Sequence, residues 1–197
     1  KEQIDQVVLD NYRAGLDALA NAGATVVELE FDLADICLPV YYIITAAECS
    51  SNLARYDGVR YGKESYNPDL LERYFESRST GFGPEVKRRI LLGTYVLSAG
   101  YFDAYYDKAR KIRQELLQQF STFFEQVDVI ITPTAPTPAF TLGSRLKTPV
   151  DMYMSDLCTV FVNRIGTGAV SIPSGFAELN GEQLPTGIQL VGPRGGD

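Results

Sequence analysis

The chain contains no histidine. Any mechanism built on a Ser-His or Cys-His pair is therefore excluded within it, because no imidazole is present to take the proton of the nucleophile. Cysteine is scarce as well: Cys37, Cys49 and Cys158 are odd in number and show no metal-ligand spacing, and Cys49 falls on an apolar helix face, so reduced structural thiols are expected. No apolar run approaches the length of a membrane span, and the amino end, charged from Lys1-Glu2 onward, lacks a signal-peptide pattern. The expectation is a soluble protein of the cytoplasm, with an organelle as the alternative compartment and no membrane partner. Positive charge is in deficit. With 18 Lys and Arg against 25 Asp and Glu, the formal net charge of -7 argues against a chain that grips phosphate backbones directly. Where nucleic acid matters, another chain is expected to bind it.

What is present suffices for a sizeable core. Hydrophobic residues make up 45% of the 197, enough to fold without a metal or disulfide staple, and one domain is the default reading. The organising stretch is residues 41 to 62. Tyr42, Ala46, Cys49, Leu53 and Tyr56 recur at helical spacing and predict a buried helix face. Tyr41, Thr45, Glu48, Asn52 and Arg55 form a second, polar stripe, and Ala46, Ala47, Ser50 and Ser51 leave room for another backbone to approach. Asp57-Gly58 is expected to end the helix.

Around it, Ile4 to Leu19 reads as a helix closed by Asn21, Ala22 and Gly23, and Ala24 to Phe31 as a strand, with Asp32 to Pro39 connecting it to the central helix. Residues 63 to 76 read as a polar bridge in which Asn67-Pro68 opens a short helix through Tyr74. Gly83-Pro84-Glu85 is a helix start, with proline in the first turn and an acid near the positive end of the dipole. Val86, Ile90, Gly93, Leu97, Gly100 and Ala104 share a face; glycines at two of these positions predict a close backbone neighbour and a bend near Gly100. A further helix over roughly 102 to 125 turns Ile112, Leu116, Phe120, Phe123 and Val127 inward. Val129 to Thr132 reads as a strand covered on both faces, ending in a loop made extended by Pro133, Pro136 and Pro138, on the side where open α/β sheets bind ligands. Met152 to Asn163 is a helix candidate, Ala169 to Pro173 and Ile188 to Val191 are strand candidates, and Gly181 with Pro185 marks the turn between them. The fold class is α/β.

Several of these blocks together resemble the amidase signature family, in particular the carboxy-terminal half of the amidase component of aspartyl/glutamyl-tRNA amidotransferases. They are residues 41 to 62, Ser77 to Arg89, Leu92-Gly93-Thr94-Tyr95 with Gly100 to Tyr106, Thr132 to Thr137, and Met152-Tyr153 with Asp156. The resemblance implies part of a mixed sheet with helices on both faces. It also implies a missing upstream half and a short helical continuation, so residues 1 to 197 are expected to be a piece of a larger polypeptide. The family uses a serine nucleophile, a second serine preceded by a cis peptide bond and a lysine, with a Gly/Ser-rich segment at the oxyanion site. No such segment stands here, and Ser50-Ser51 lacks flanking glycines, so no catalytic residue is assigned to this chain. Asn163 to Ala169 departs from the family, which has an apolar turn with leucine and proline there.

The resemblance nominates three substrate-binding residues for glutamine: Arg89 for the α-carboxylate, Asp156 for the α-ammonium and Tyr41 for a hydroxyl and a wall. The residues alone allow plainer roles. Tyr41 could be a core aromatic, Arg89 could pair with Glu85 one turn earlier, and Asp156 could be a solvated helix residue. Glu48, Asn52 and Arg55 are expected to form a structural polar network, Arg78 to Thr80 a loop, tyrosines 101 to 106 a core and interface cluster, and Gly192 to Gly196 no phosphate site. The activity implied is release of ammonia from glutamine for transamidation of misacylated tRNA. A tRNA-binding partner subunit would use ATP and magnesium, a small third subunit would wrap the amidase, and no cofactor would bind this chain. Another amidase-signature hydrolase of a small amide, or a non-catalytic partner-binding scaffold, are the alternatives.

Overall fold

In the computed structural model, which describes residues 4–142, 149–179 and 181–196, the chain divides into two compact units, Lys1–Leu38 with Arg113–Asp197, and Pro39–Ile112. The first holds a three-stranded antiparallel sheet ordered β1-β3-β2, with β1 at Ile130–Pro133, β2 at Ala169–Leu179 and β3 at Glu182–Val191. The central strand β3 is covered on both faces. On one face α1 (Gln6–Asn21) lies close enough that a Cβ on Gly15 would stand 3.2 Å from Ile188 Cδ1, and the Tyr12 hydroxyl donates to the Ile131 carbonyl at 3.1 Å. The next residue of β3 points the other way, as strand alternation requires. There Gln189 Nε2 donates to the Cys158 carbonyl and to Thr132 Oγ1, both at 2.9 Å, tying the sheet to the segment between α6 (Pro149–Met154) and α7 (Val160–Ile165). Phe31, Phe120 of α5 (Lys108–Phe124) and Phe161 of α7 form an aromatic core with ring centroids 5.1 to 6.0 Å apart.

The α/β expectation holds, with corrections to individual elements. Ala24 to Phe31 is extended but forms no ladder among the described residues, and Val26 and Val27 are exposed. Strand propensity expresses itself only against a partner edge. The expected helix over 152 to 163 is two short helices broken by a turn at residues 155 to 159. The two strand candidates belong to one long hairpin, and Pro185 lies inside β3 opposite Phe176 while Gly181, at φ +81, makes the turn. β1 is a half-buried edge strand with Val129 exposed, so it is not covered on both faces. The divergent segment is an ordered helix end: Gly166 closes α7 at φ +67 with its N–H on the Val162 carbonyl, and Ile165 is buried.

The second unit is helical. The central helix α2 (Ala34–Leu53) begins earlier than expected and contains Pro39. It also ends earlier, where Arg78 Nη1 takes the carbonyls of Leu53 and Tyr56 at 3.0 and 2.9 Å. Arg78, Ser79 and Thr80 therefore belong to a helix, α3 (Leu70–Gly81), and not to a loop; Asp69 caps it by accepting from the Glu72 N–H at 2.9 Å. Gly83 and Pro84 open α4 (Pro84–Val96) as predicted. Gly100 lies outside α4, in a turn at φ +87 with open space around its Cβ position, so its role is conformational freedom and not close packing. A π-helical turn, Phe102–Asp107, leads into α5. The tyrosines here are not core: Tyr95, Tyr101 and Tyr105 cluster at the surface, with Tyr95 and Tyr101 ring centroids 4.3 Å apart and Tyr95 45% exposed.

Candidate functional site

Within the second unit, α2 and α4 bring two of the nominated residues together. Glu85 enters the first turn of α4 behind Pro84, where a negative charge meets the helix dipole favourably, and Arg89 follows one turn later. Arg89 Nε donates to Glu85 Oε1 at 2.9 Å, and Arg88 pairs with the other carboxylate oxygen. The pairing allowed by spacing alone is thus present, and it does not exhaust the group. The Arg89 guanidinium carbon lies 5.4 Å from the centre of the Tyr42 ring, and Tyr41 is hydrogen-bonded to the same guanidinium. Partial burial presses Arg89 toward losing its proton. The hydrogen bond and charge of Glu85, with the contact to Tyr41, outweigh that burial and move its pKa upward. The group is a permanent cation, flattened on an aromatic face and held at its Nε edge, a geometry suited to a planar carboxylate.

The wall beneath the guanidinium is Tyr42, which helical spacing assigned to the apolar face. Tyr41 and Tyr42 meet edge to face with ring centroids 5.0 Å apart, so adjacent residues on α2 divide the work of hydroxyl and wall. An adjacent Tyr-Tyr pair ahead of a small-residue helix was the available signal. Further along the polar stripe, Thr45 Oγ1 is buried without a hydrogen-bond partner among the described residues. Glu48, Asn52 and Arg55 are exposed, and Arg55 Nε bonds the Asn52 carbonyl at 3.0 Å. Ser50 is structural: its hydroxyl meets Thr94 Oγ1 at 3.1 Å.

Asp156 belongs to the first unit. It sits half-buried in the turn between α6 and α7, where its carbonyl accepts from the N–H of Thr159 at 2.9 Å and of Val160 at 3.1 Å. Its chain neighbour Ser155 lines a cavity of about 440 Å³ formed by the proline-rich loop after β1 and the adjoining strands. That loop stands at the strand end where a ligand site was expected. Polar groups from the sheet went unrecognised in the sequence: Thr134 Oγ1 and Ser171 Oγ lie 2.7 Å apart, and a Cβ on Gly187 would come within 3.0 Å of both. Ser155 Oγ is buried and has no partner among the described residues. Single hydroxyls at strand positions carry no periodic signal, which is why they were missed. The cavity offers a mostly apolar hollow with hydroxyls, fit for the aliphatic part and amide end of a small polar ligand.

The cysteines are not nucleophiles. Burial pushes the Cys37 thiol up to about 12 and the Cys158 thiol up to about 11, so both stay protonated at neutral pH. Among the described residues no helix is long and apolar enough to cross a membrane.

Comparison with known proteins agrees with this geometry. The family model described as Amidase matches residues 1–197. The chain is 52% identical over 178 residues to the amidase component (the A chain) of the glutamyl-tRNA(Gln) amidotransferase of Parvibaculum lavamentivorans, covering 90% of this chain and 36% of that protein. It is 50% identical over 192 residues to the protein of the same name from Coxiella burnetii, covering 97% of this chain and 39% of the relative. The chain therefore spans less than two fifths of the length of these relatives. The crystal structure of the corresponding glutamyl-tRNA(Gln) amidotransferase component from Thermotoga maritima superposes with a TM-score of 0.68 at 33% identity, covering 98% of this chain and 36% of that one. A crystal structure of an amidase with 21% identity and a TM-score of 0.70, covering 99% of this chain and 40% of that one, shares the fold.

Proposed function

Because this chain belongs to the amidase family, we propose that it supplies the amino-acid-holding part of a glutamine amidase whose ammonia is used to transamidate glutamate or aspartate carried on tRNA. The observation that carries this reading is the Arg89 guanidinium held between Glu85, Tyr41 and the Tyr42 ring. A free amino acid presents a carboxylate and an ammonium. Arg89 takes the carboxylate, Tyr41 adds a hydroxyl and Asp156 takes the ammonium, with the hydroxyl-lined cavity beside Ser155 receiving the side chain. The bond-breaking groups lie outside these residues, since no histidine is present and both buried thiols stay protonated. ATP and magnesium are assigned to a tRNA-binding partner subunit, and a small third subunit completes the assembly. The part of its relatives that this chain does not span is the natural place for the serine nucleophile.

The test is ammonia release from glutamine. This chain alone should release none, and measurable release would refute the division of roles. In the polypeptide at the full length of its relatives, Arg89→Ala should raise the glutamine KM about 10- to 100-fold, the loss expected for a charge-assisted hydrogen bond of about 1.5 to 3 kcal/mol. An unchanged KM would remove Arg89 from the site.

A further inference from the structure

Gly93 stands in the interior of α4, where glycine costs about 1 kcal/mol relative to alanine. It is buried, and a Cβ there would stand 2.0 Å from the Ala46 carbonyl oxygen, 2.6 Å from its carbonyl carbon and 2.6 Å from Ser50 Cβ. The first two are backbone atoms of α2, which cannot rotate aside. This is the point of closest approach between the helices. Four residues earlier on each, Arg89 lies over Tyr42 at 5.4 Å; beyond it, Ser50 and Thr94 join hydroxyls at 3.1 Å. The order of contacts is the same along both helices, so α2 and α4 run past each other in the same sense, with the guanidinium one turn before the crossing. Helices carrying ordinary side chains pack about 8 to 10 Å apart. Removing the Cβ at the crossing lets α4 sink toward α2, and this depth lays Arg89 on the Tyr42 ring within reach of the Tyr41 hydroxyl.

We propose that Gly93 is a positioning residue whose missing side chain sets the depth of Arg89 against Tyr41 and Tyr42, and so the selection of amides that carry an α-carboxylate. This rests on Arg89 being the carboxylate-binding group. Adding a Cβ pushes the helices apart by more than about 1 Å, a displacement that is costly at a site requiring placement within about 0.5 Å. A substrate lacking the carboxylate makes no use of the guanidinium and is indifferent to the shift.

The test compares glutamine with 4-aminobutanamide, which is glutamine without its α-carboxylate, in the polypeptide at the full length of its relatives. Gly93→Ala should raise the glutamine KM about 10- to 100-fold with kcat within about 2-fold, and leave kcat/KM for 4-aminobutanamide unchanged. Gly100→Ala, which strains a positive-φ turn in open space, should lower stability without altering the ratio between the two substrates. Equal losses on both substrates in Gly93→Ala, or no loss on either, would overturn the proposal. If Gly93→Ala does not fold, Thr94→Val takes its place: removing the hydroxyl partner of Ser50 at the same crossing should give a smaller rise in KM confined to glutamine, and an equal change on both amides would overturn it. A second readout separates this inference from the function on which it rests. In NMR spectra of the 197-residue chain, the Arg89 Nε–H resonance should show a ring-current shift from Tyr42 that Gly93→Ala abolishes. If that shift survives Gly93→Ala, Gly93 does not position Arg89. If it is abolished and Arg89→Ala leaves the glutamine KM unchanged, the positioning stands and the carboxylate role falls, and with it the selection of substrates.

Discussion

A single carboxylate illustrates how much one residue can organise in the helical unit. Asp57 accepts from the N–H groups of Val59 and Arg60, each at 2.9 Å, and from Arg60 Nε at 2.8 Å, closing the loop that follows α2. The backbone N–H of Arg60, then that of Val59, then the Arg60 guanidinium hold its carboxyl well below the usual carboxylate range. A depressed folded-state pKa contributes stability that is complete above the unfolded value of about 3.9 and is lost as pH falls toward the folded value. Thermal melts between pH 6 and 2 should therefore show Tm falling more steeply below about pH 4 in the parent chain than in Asp57→Asn; parallel curves would show that Asp57 adds nothing in acid. Asp57-Gly58 was legible in the sequence as a stop signal, because its turn chemistry is local. What its carboxylate bonds to was not legible, since hydrogen-bond direction depends on how the loop closes. Arg89 gives the same lesson: its bond to Glu85 followed from helical spacing, whereas its seat on Tyr42 required a second helix.

Among the elements, the departures from expectation are boundaries and environments, and most elements exist where the pattern put them. The start of α4 at Gly83-Pro84 was readable because a capping glycine and a first-turn proline act within one turn. The inclusion of Pro39 in α2 was not readable, because local propensity disfavours it and burial of Cys37, Val40, Ile44, Ala46 and Ala47 along the same helix overrides that cost. At the end of α7, Gly166 replaces doubt with a specific requirement. Its φ of +67 is a left-handed cap, strained for any residue with a Cβ. Gly166→Ala should destabilise by about 1 kcal/mol in urea unfolding. A neutral result would mean that the cap relaxes at no cost.

At the scale of the whole molecule, the exposed apolar groups are the feature with consequences. β2 is an outer strand of the sheet, with Val170 57% and Phe176 62% exposed, and Leu70, Leu71 and Phe75 are exposed on α3. An unpaired strand edge beside apolar side chains is a template for association. Sedimentation of the isolated chain should give a mass above that of one chain and rising with concentration, and Phe176→Asp should lower it; a single-chain mass throughout would exclude the prediction. The amino-acid sequence by itself determined which segments are helical, the α/β class, the absence of any histidine-based mechanism and the resemblance that nominates Tyr41, Arg89 and Asp156, all properties written in local spacing and residue type. Only the tertiary structure decided that Ala24 to Phe31 goes unpaired, that Tyr42 is the wall for Arg89, that hydroxyls from separate strands meet in one cavity, and that Gly93 is where two helices touch. These depend on groups far apart in the chain becoming neighbours, and no local pattern records the partner.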